Sequence, residues 1–345
     1  MVKMDKLPSG KWRARIHLGG GKYKTITGAD KKDVQLKAAE FEAGQLKETA
    51  ATRESIALGE IIDKYIASKT NVLSPSTIRG YLATRRSMFP ELMSVSVDQI
   101  TSECVQNAIN EEAITKSPKY IANECGLMSA ALKMFAPDIR LNIKTPQRLK
   151  SEIEVPTEDE VKQIINSARN ADIELPVILA ACCGLRRSEI LGLKWKDIDA
   201  EKRTISINEA IVTDKDNNAV SKGTKTYAGT RVIRVFPFVL ETIQRAERVG
   251  EYVVNLKGYQ IYNRFENILK DCKLPHYRFH DLRHYCVSVM LSLNIPKNYI
   301  ADYVGHETEN MIDKVYGHIM ASKKTSVEDQ MQDYFESVMK SVTKK

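Results

Sequence analysis

The side chains best suited to chemistry lie in short motifs of the C-terminal half, and the most informative is FHDLRH at 279–284. Because residues i, i+3 and i+4 share one face of a helix, His280, Arg283 and His284 can project together. Guanidinium groups bind oxyanions through paired donors, and imidazole groups exchange protons near neutral pH. The segment therefore indicates a site for an anionic substrate, although the same residues taken alone also suit a surface or core contact.

Further motifs place comparable side chains in a fixed order along the chain. They are GLRRSE at 184–189, TKT at 224–226, GH at 305–306 and VYGH at 315–318. Taken alone, Tyr316 suits an ordinary half-buried tyrosine, and Lys225 suits an ordinary lysine in a hairpin turn. Lys222 is the alternative candidate for the lysine of the set. The ordered set favours a single assembled active site over these separate interpretations.

The order Arg, Lys, His-x-x-Arg, His, Tyr resembles the tyrosine recombinase family, the integrases of phages and mobile elements. The resemblance covers about residues 157 to 320. It places the six catalytic residues at Arg186, Lys225, His280, Arg283, His306 and Tyr316. Glu189 is the acid that accompanies the first arginine. His284 and His318 fall outside the matched set and are assigned structural or supporting roles.

The resemblance implies a nucleophilic reaction at a DNA phosphodiester. Tyr316 attacks phosphorus and holds the strand as a 3′-phosphotyrosine, which conserves the bond energy without ATP. Arg186 and Arg283 bind the phosphate oxygens in place of a metal, so no metal and no cofactor are expected.

The remaining matched residues are expected to move protons or to orient their neighbours. Lys225 is the candidate acid for the leaving 5′ oxygen, and its assignment is open to Lys222 because the length of this turn varies in the family. His280 is expected to accept the tyrosine proton, and His306 to donate to a phosphate oxygen. Glu189 is expected to orient catalytic side chains without touching the phosphate.

The composition sets limits on the class of protein. The chain has 345 residues, 43% hydrophobic and 28% charged, which predicts two or three folded domains. Its net charge of +8 is consistent with a polyanionic partner.

The longest nearly continuous apolar run, at 175–185, is shorter than the ~20 residues of a membrane span. The N-terminus lacks the apolar segment of a signal peptide, so a cytoplasmic, nucleoid-associated location in a bacterial host is expected. Six cysteines without metal-type spacing are expected to be reduced.

Residues 1–50 predict a small domain with a β-sheet and a helix. Over 11–18, apolar and basic residues alternate, which predicts strands with one apolar and one cationic face. A helix over 30–47 supplies Val34, Ala38 and Phe41 to cover the apolar face. Residues 1–32 hold nine Lys or Arg and two Asp. The cationic face suits either solvent or DNA. The segment resembles the three-stranded arm-binding domain of integrases, which favours DNA contacts from Lys11, Arg13 and Arg15.

Residues 55–141 predict an all-α domain that resembles the core-binding domain of the family. Apolar residues recur at helical spacing around Ile61 and Ile66, and Ser74-Pro75 is typical of a helix start. The basic residues expected to contact DNA here are Arg79, Arg85, Arg86 and Lys119. A proline-containing stretch at 142–156 reads as a linker.

Residues 155–345 predict a mixed, mainly α catalytic domain with a C-terminal tail. Thr157 and Glu160 form a capping box, one helix ends near Gly184 and another begins at Ser188. Strands are expected over 203–212 and 230–235, as a small antiparallel sheet with 224–227 between them. Helices are expected from Pro237 onward.

The predicted function is site-specific recombination that integrates, and excises, a phage or other mobile element. The implied partners are double-stranded attachment-site DNA, accessory proteins that bend DNA or direct excision, and three further copies, because two duplexes present four strands. An apolar stripe in the tail suits either exchange onto a neighbouring protomer or cover of its own core; it consists of Val327, Met331, Tyr334, Phe335 and Val338.

Two alternative functions remain open, namely a type IB topoisomerase-like enzyme and a DNA-binding regulator with a vestigial active site. The basic N-terminal domain argues against the first and the intact catalytic set against the second.

Overall fold

The computed structural model describes residues 4–19, 22–41, 56–148, 154–223, 230–305 and 312. The chain divides into two compact units. Unit 1 comprises Met1–Leu73 with Gly80–Leu149, and unit 2 comprises Ser74–Arg79 with Lys150–Lys345. The division into three domains at 1–50, 55–141 and 155–345 stays a prediction.

The N-terminal part of unit 1 is an antiparallel sheet covered by a helix. Its strands are β1 Met4–Lys6, β2 Trp12–Gly19 and β3 Lys22–Gly28, with β2 in the centre. Ala14 and Ile16 are buried on one face, where Val34 and Ala38 of a helix that includes 31–41 (α1) pack against them. The predicted alternation and the covering helix are confirmed for these residues.

Residues 58–135 form helices, as the helical spacing predicts. They are α2 Leu58–Lys69, α3 Pro75–Ser87, α4 Ser102–Glu112 and α5 Pro118–Phe135. The Ser74 hydroxyl accepts a hydrogen bond from the Thr77 backbone N–H at 3.2 Å, so α3 begins at the predicted Ser-Pro pair. Fully buried Ile62, Ile109 and Met128 contribute about 1.5–3 kcal/mol each to the core.

Unit 2 is mainly helical, and its other elements pack around the apolar helix α7. Its helices are α6 Glu158–Ala168, α7 Glu174–Cys183, α8 Arg187–Gly192, α9 Pro237–Arg245, α10 Gly258–Asp271, α11 Asp281–Ser292 and α12 Lys297–Val304. The capping box at Thr157 and Glu160 is present, with the Thr157 backbone N–H donating to Glu160 Oε2 at 2.7 Å. Nearly every residue of α7 is buried, and α11 packs against it. A helix that is apolar on all sides belongs in the middle of a core.

The strands of unit 2 correct one part of the sequence prediction. The strand expected over 203–212 is two strands, β5 Thr204–Ile207 and β6 Glu209–Thr213, which belong to different sheets. β5 pairs with β4 Ile198–Asp199 and β8 Arg231–Arg234, whereas β6 forms a hairpin with β7 Ala219–Gly223. Asn208, between the two strands, is of a type common in turns, but no Gly or Pro beside it marks the break. Strand β7 was missed because it is short and largely exposed.

Candidate active site

Helix α7 ends in a tight turn that delivers Arg186 to the start of α8. Gly184 adopts φ +65°, which is strained for residues with a side chain. A Cβ at this position would lie 3.0 Å from Val304 Cγ1 and 3.4 Å from Cys286 Sγ. The turn therefore needs glycine for both its backbone conformation and its close contact with α11 and α12.

Arg186 is held by Glu189 and by the end of α12. Its Nη1 donates to Glu189 Oε1 at 2.6 Å, and its Nη2 donates to the Gly305 carbonyl at 2.7 Å. The Glu189 carboxylate also accepts the Arg186 backbone N–H at 2.9 Å. The Arg186 side chain remains 35% exposed, which makes it the most accessible of the three arginines around Glu189. Glu189 thus fixes the orientation of the Arg186 guanidinium, and its role in catalysis stays a prediction.

Arg231 is a site residue that the sequence analysis did not predict. It opens β8, and its Nη2 and Nη1 donate to the two oxygens of Glu189 at 3.0 and 3.3 Å. Burial alone would raise the pKa of Glu189, but the hydrogen bonds and charge of Arg231, with the charge of Arg186, hold that pKa below its usual range. Glu189 is therefore ionised at neutral pH. Nothing in an alternating strand pattern distinguishes such a partner from a solvent-facing arginine.

Arg283 brings another guanidinium to the same place from α11. Its side chain is 1% exposed and its Nη1 donates to the Gly184 carbonyl at 2.6 Å. The same nitrogen lies 3.9 Å from Glu189 Oε2. The structure thus gathers Arg186, Arg231 and Arg283 around one buried carboxylate, which leaves a net positive charge at the site.

His280 lies at the N-terminus of α11, one turn before His284. The two rings meet edge to face with centroids 4.9 Å apart. His280 is partly open to solvent, and withdrawal of the rest of the ring from water, with the charges of His284, Arg283 and Arg186, lowers its pKa to about 4. His280 is therefore neutral at pH 7 and able to accept a proton. The contacts of Arg283 with Gly184 and Glu189 bring the FHDLRH motif against the GLRRSE motif.

Three predicted catalytic residues, Lys225, His306 and Tyr316, lie outside the described residues, as does His318. The chain close to Lys225 and His306 is described. Strand β7 ends at Gly223, and α12 ends at Gly305 with φ +70°. The rival lysine, Lys222, lies in β7 opposite Ala210. The assignment of these catalytic roles stays a prediction.

The predicted DNA-contacting residues of unit 1 and α3 differ in their surroundings. Most are exposed, namely Lys11, Arg15, Arg79, Arg86 and Lys119. Arg13 pairs with Asp5 at 3.2 Å, and Arg85 forms a two-pronged pair with Asp63 at 2.9 and 3.0 Å. An arginine already held by a carboxylate is less available to a phosphate, so Arg85 is a weaker candidate than its exposed neighbour Arg86.

The described residues contain no cluster of three or more His, Cys, Asp or Glu side chains placed to hold a metal ion. In the same part of the chain, no helix is long and apolar enough to span a membrane. None of the six cysteines, all of which are described, forms a disulfide.

Comparison with known proteins identifies the fold. Residues 154–323 match the phage integrase family. The "tyrosine recombinase XerC-like" protein of Caldanaerobacter subterraneus subsp. tengcongensis is 23% identical over 90% of this chain and 92% of its own length. The Tn1549 transposon integrase, solved with transposon right-end DNA, has a TM-score of 0.65 at 18% identity and covers 76% of this chain and 95% of that one.

A lambda integrase tetramer bound to a Holliday junction has a TM-score of 0.57 at 16% identity and covers 89% of this chain and 96% of that one. The family match and the relatives identify a tyrosine recombinase, an enzyme that breaks and rejoins DNA strands. Residues 154–323 form a phage integrase domain.

Proposed function

We propose that this protein integrates and excises a mobile element by cleaving attachment-site DNA through Tyr316, as a covalent 3′-phosphotyrosine. The observation that carries the proposal is the convergence of Arg186 and Arg283 on Glu189, with the neutral His280 one turn before Arg283 at the start of α11. These residues come from two motifs about a hundred positions apart, and ordinary packing gives no reason to bury so much positive charge together.

In the proposed reaction the arginines stabilise charge on the phosphate. Arg186 binds a non-bridging oxygen through its exposed edge, while Arg283, fixed by the Gly184 carbonyl, adds a second charge that burial keeps unscreened. Because both groups are held before substrate arrives, little reorganisation is needed as negative charge develops. His280 accepts the phenolic proton of Tyr316 as the oxygen attacks phosphorus.

Lys225 then protonates the leaving 5′ oxygen and His306 donates to a phosphate oxygen. The broken DNA bond is replaced by the tyrosyl ester, so the religating 5′ hydroxyl of a partner strand can reverse the step without an added energy source. Metal and cofactor are not part of this proposal, and the chain acts on nucleoid DNA in the cytoplasm of a bacterial host.

The exposed basic residues of unit 1 are proposed to bind the DNA that unit 2 cleaves. Lys11 and Arg15 lie on the cationic strand face, and Arg86 and Lys119 lie on exposed turns of α3 and α5. Contacts of this kind neutralise phosphates and fix position without reading sequence. The N-terminal sheet is proposed to bind accessory arm sites and the helices to bind the crossover site.

The proposed assembly is a tetramer, in which each chain supplies one Tyr316 for one of four strands. An apolar groove of unit 2, about 620 Å³ in volume, is proposed to receive the tail of a neighbouring protomer. Tyr285, Leu293 and Tyr299 line it, with Arg203 and Arg234 also present. The tail over 327–338 carries its apolar stripe among four acidic residues and none that is basic, which complements those arginines.

A recombination assay tests the proposed function. The protein is expressed in cells carrying candidate attachment sites, and the junctions are sequenced in parallel for wild type and Tyr316→Phe. Reciprocal junctions at one short core with wild type alone are the expected result. Relaxation of supercoiled plasmid without junctions would favour the topoisomerase rival, and specific DNA binding without any strand cleavage would favour the regulator. Unchanged assembly and cooperative cleavage after removal of 325–345 would refute tail exchange.

A further inference from the structure

Arg231 joins the elements that meet at the active site. Besides its contacts with Glu189 of α8, its Nε donates to the Tyr303 carbonyl of α12 at 2.8 Å. The side chain is 7% exposed, although it starts on a strand whose next residue, Val232, is 65% exposed. The Arg231 side chain is thus far less accessible than that of Arg186, which is 35% exposed.

The contacts of Arg231 complement those of Arg186 at the end of α12. The last carbonyls of a helix lack partners within the helix and carry partial negative charge. Arg231 binds the Tyr303 carbonyl and Arg186 binds the Gly305 carbonyl, so two guanidinium groups hold the end of α12. Gly305 directly precedes His306. The position of Arg231 thus bears on where the chain enters the His306 motif.

The charge balance of Glu189 also depends on Arg231. The carboxylate is 4% exposed, and its direct ionic partners are Arg186 at 2.6 Å and Arg231 at 3.0 Å, with Arg283 more distant at 3.9 Å. Without Arg231, the buried carboxylate would depend mainly on Arg186. It would either bind that arginine more tightly or take up a proton, and both outcomes reduce what Arg186 can offer to a phosphate.

We propose that Arg231 is a positioning residue for strand cleavage, which neutralises Glu189 so that Arg186 is oriented by the carboxylate but remains able to bind the scissile phosphate. The inference rests on the proposed function of Arg186. In this proposal Arg231 does not contact DNA. The expected consequence is an effect on cleavage rate and on its pH dependence, with little effect on DNA affinity.

The test compares Arg231→Gln, Arg231→Lys and a control, Arg264→Gln. Arg264 lies on α10 in a surface pair with Asp172 at 2.7 Å, so the control removes a paired arginine elsewhere in unit 2. Single-turnover cleavage of a nicked suicide duplex is measured between pH 5 and 8, with DNA affinity measured by gel shift. Folded protein is quantified by thermal unfolding, and rates are given per folded molecule.

Arg231→Gln is expected to slow cleavage roughly 10- to 100-fold, by analogy with the loss of other orienting partners, with affinity within about threefold of wild type. The acid limb of its pH profile moves to higher pH, because Glu189 loses the partner that keeps it ionised. Arg231→Lys restores part of the rate because it retains the charge. The control behaves as wild type. A wild-type rate and pH profile for Arg231→Gln, or equal losses in both Arg231 variants with an unchanged profile, would overturn the proposal.

A second measurement separates this inference from the proposed function. The titration of Glu189 is followed by NMR of protein labelled with ¹³C at the glutamate carboxyl groups, with the signal assigned by its loss in Glu189→Gln. A pKa that rises in Arg231→Gln supports the positioning role even if no covalent DNA complex forms. An unchanged Glu189 pKa refutes it, whatever the cleavage assay shows.

Discussion

A buried group of charges in unit 1 leads to a quantitative prediction about stability. Glu124 on α5 is fully buried, and its Oε1 accepts a hydrogen bond from Lys116 Nζ at 2.7 Å. The same ammonium donates to Glu112 Oε1 at 2.6 Å. The Oε2 atoms of both glutamates are buried and have no donor among the described residues. A proton shared by the two carboxyl groups would relieve their mutual repulsion.

The pKa of Glu124 gives the size of the effect. Burial, with the hydrogen bond and charge of Glu112, raises that pKa from 4.5 to about 7, against the opposing influence of Lys116. Because the folded-state value is the higher one, the folded protein holds more protons between these pH values. The contribution of Glu124 to stability is therefore fully present below pH 4.5 and is lost as pH rises through about 7. The difference between 4.5 and about 7 corresponds to about 3 kcal/mol.

Glu124→Gln should remove this pH dependence. The amide supplies a permanent donor for Glu112 and keeps an acceptor for Lys116, as the protonated acid does. At pH 8 the variant is expected to be more stable than wild type by up to about 3 kcal/mol, and at pH 5 the two should agree within about 1 kcal/mol. Glu111→Gln is the matched control, because Glu111 is the exposed neighbour of Glu112 on α4.

Hydrogen exchange of the whole protein is the appropriate assay, since the two units need not unfold together. Opening free energies are taken from peptides covering 102–135 at pH 5 to 8, after correction for intrinsic exchange rates. A wild-type stability that is flat or rises over this range would refute the reasoning. So would a Glu124→Gln variant that keeps the wild-type slope.

Three further predictions concern the catalytic unit and the N-terminal domain. Gly184→Ala should lower the melting temperature of unit 2 by several degrees, because an αL alanine costs about 1 kcal/mol and its Cβ would crowd Val304; an unchanged melting temperature would contradict the turn geometry. Lys225→Ala should slow cleavage of a normal 5′ oxygen leaving group but not of a 5′-phosphorothiolate, whereas Lys222→Ala should affect neither; the reverse pattern would transfer the acid role to Lys222. Deletion of residues 1–50 should weaken binding to accessory sites more than to the crossover site, as measured by footprinting, and equal losses at both would count against a separate arm-binding role.

Features that depend on neighbouring residues could be predicted from the sequence. The capping box at Thr157 and the glycine stop at Gly184 are both present, since each is a local contact between nearby positions. The alternation that buries Ala14 and Ile16 is equally local. The class of site was also predictable, because its chemistry depends on an ordered set of residue types.

Features that depend on distant partners could not be predicted. Arg231 contacts Glu189 across 42 positions, and no periodicity in β8 marks its burial. Arg85 was grouped with the DNA-contacting residues, yet it pairs with Asp63, 22 positions away. The break between β5 and β6 also escaped prediction, because sheet membership is decided by which strands lie alongside and not by the β-branched run itself.

The central claim is that the arginines of the site bind a DNA phosphate that a tyrosine, Tyr316, attacks. The most direct test is to trap the protein on a nicked suicide duplex, digest the complex and identify the attached residue by mass spectrometry. The account predicts a 3′-phosphonucleotide joined to the peptide containing Tyr316, and no adduct with Tyr316→Phe despite retained DNA binding. An adduct at a different residue, or undiminished capture by Tyr316→Phe, would contradict it.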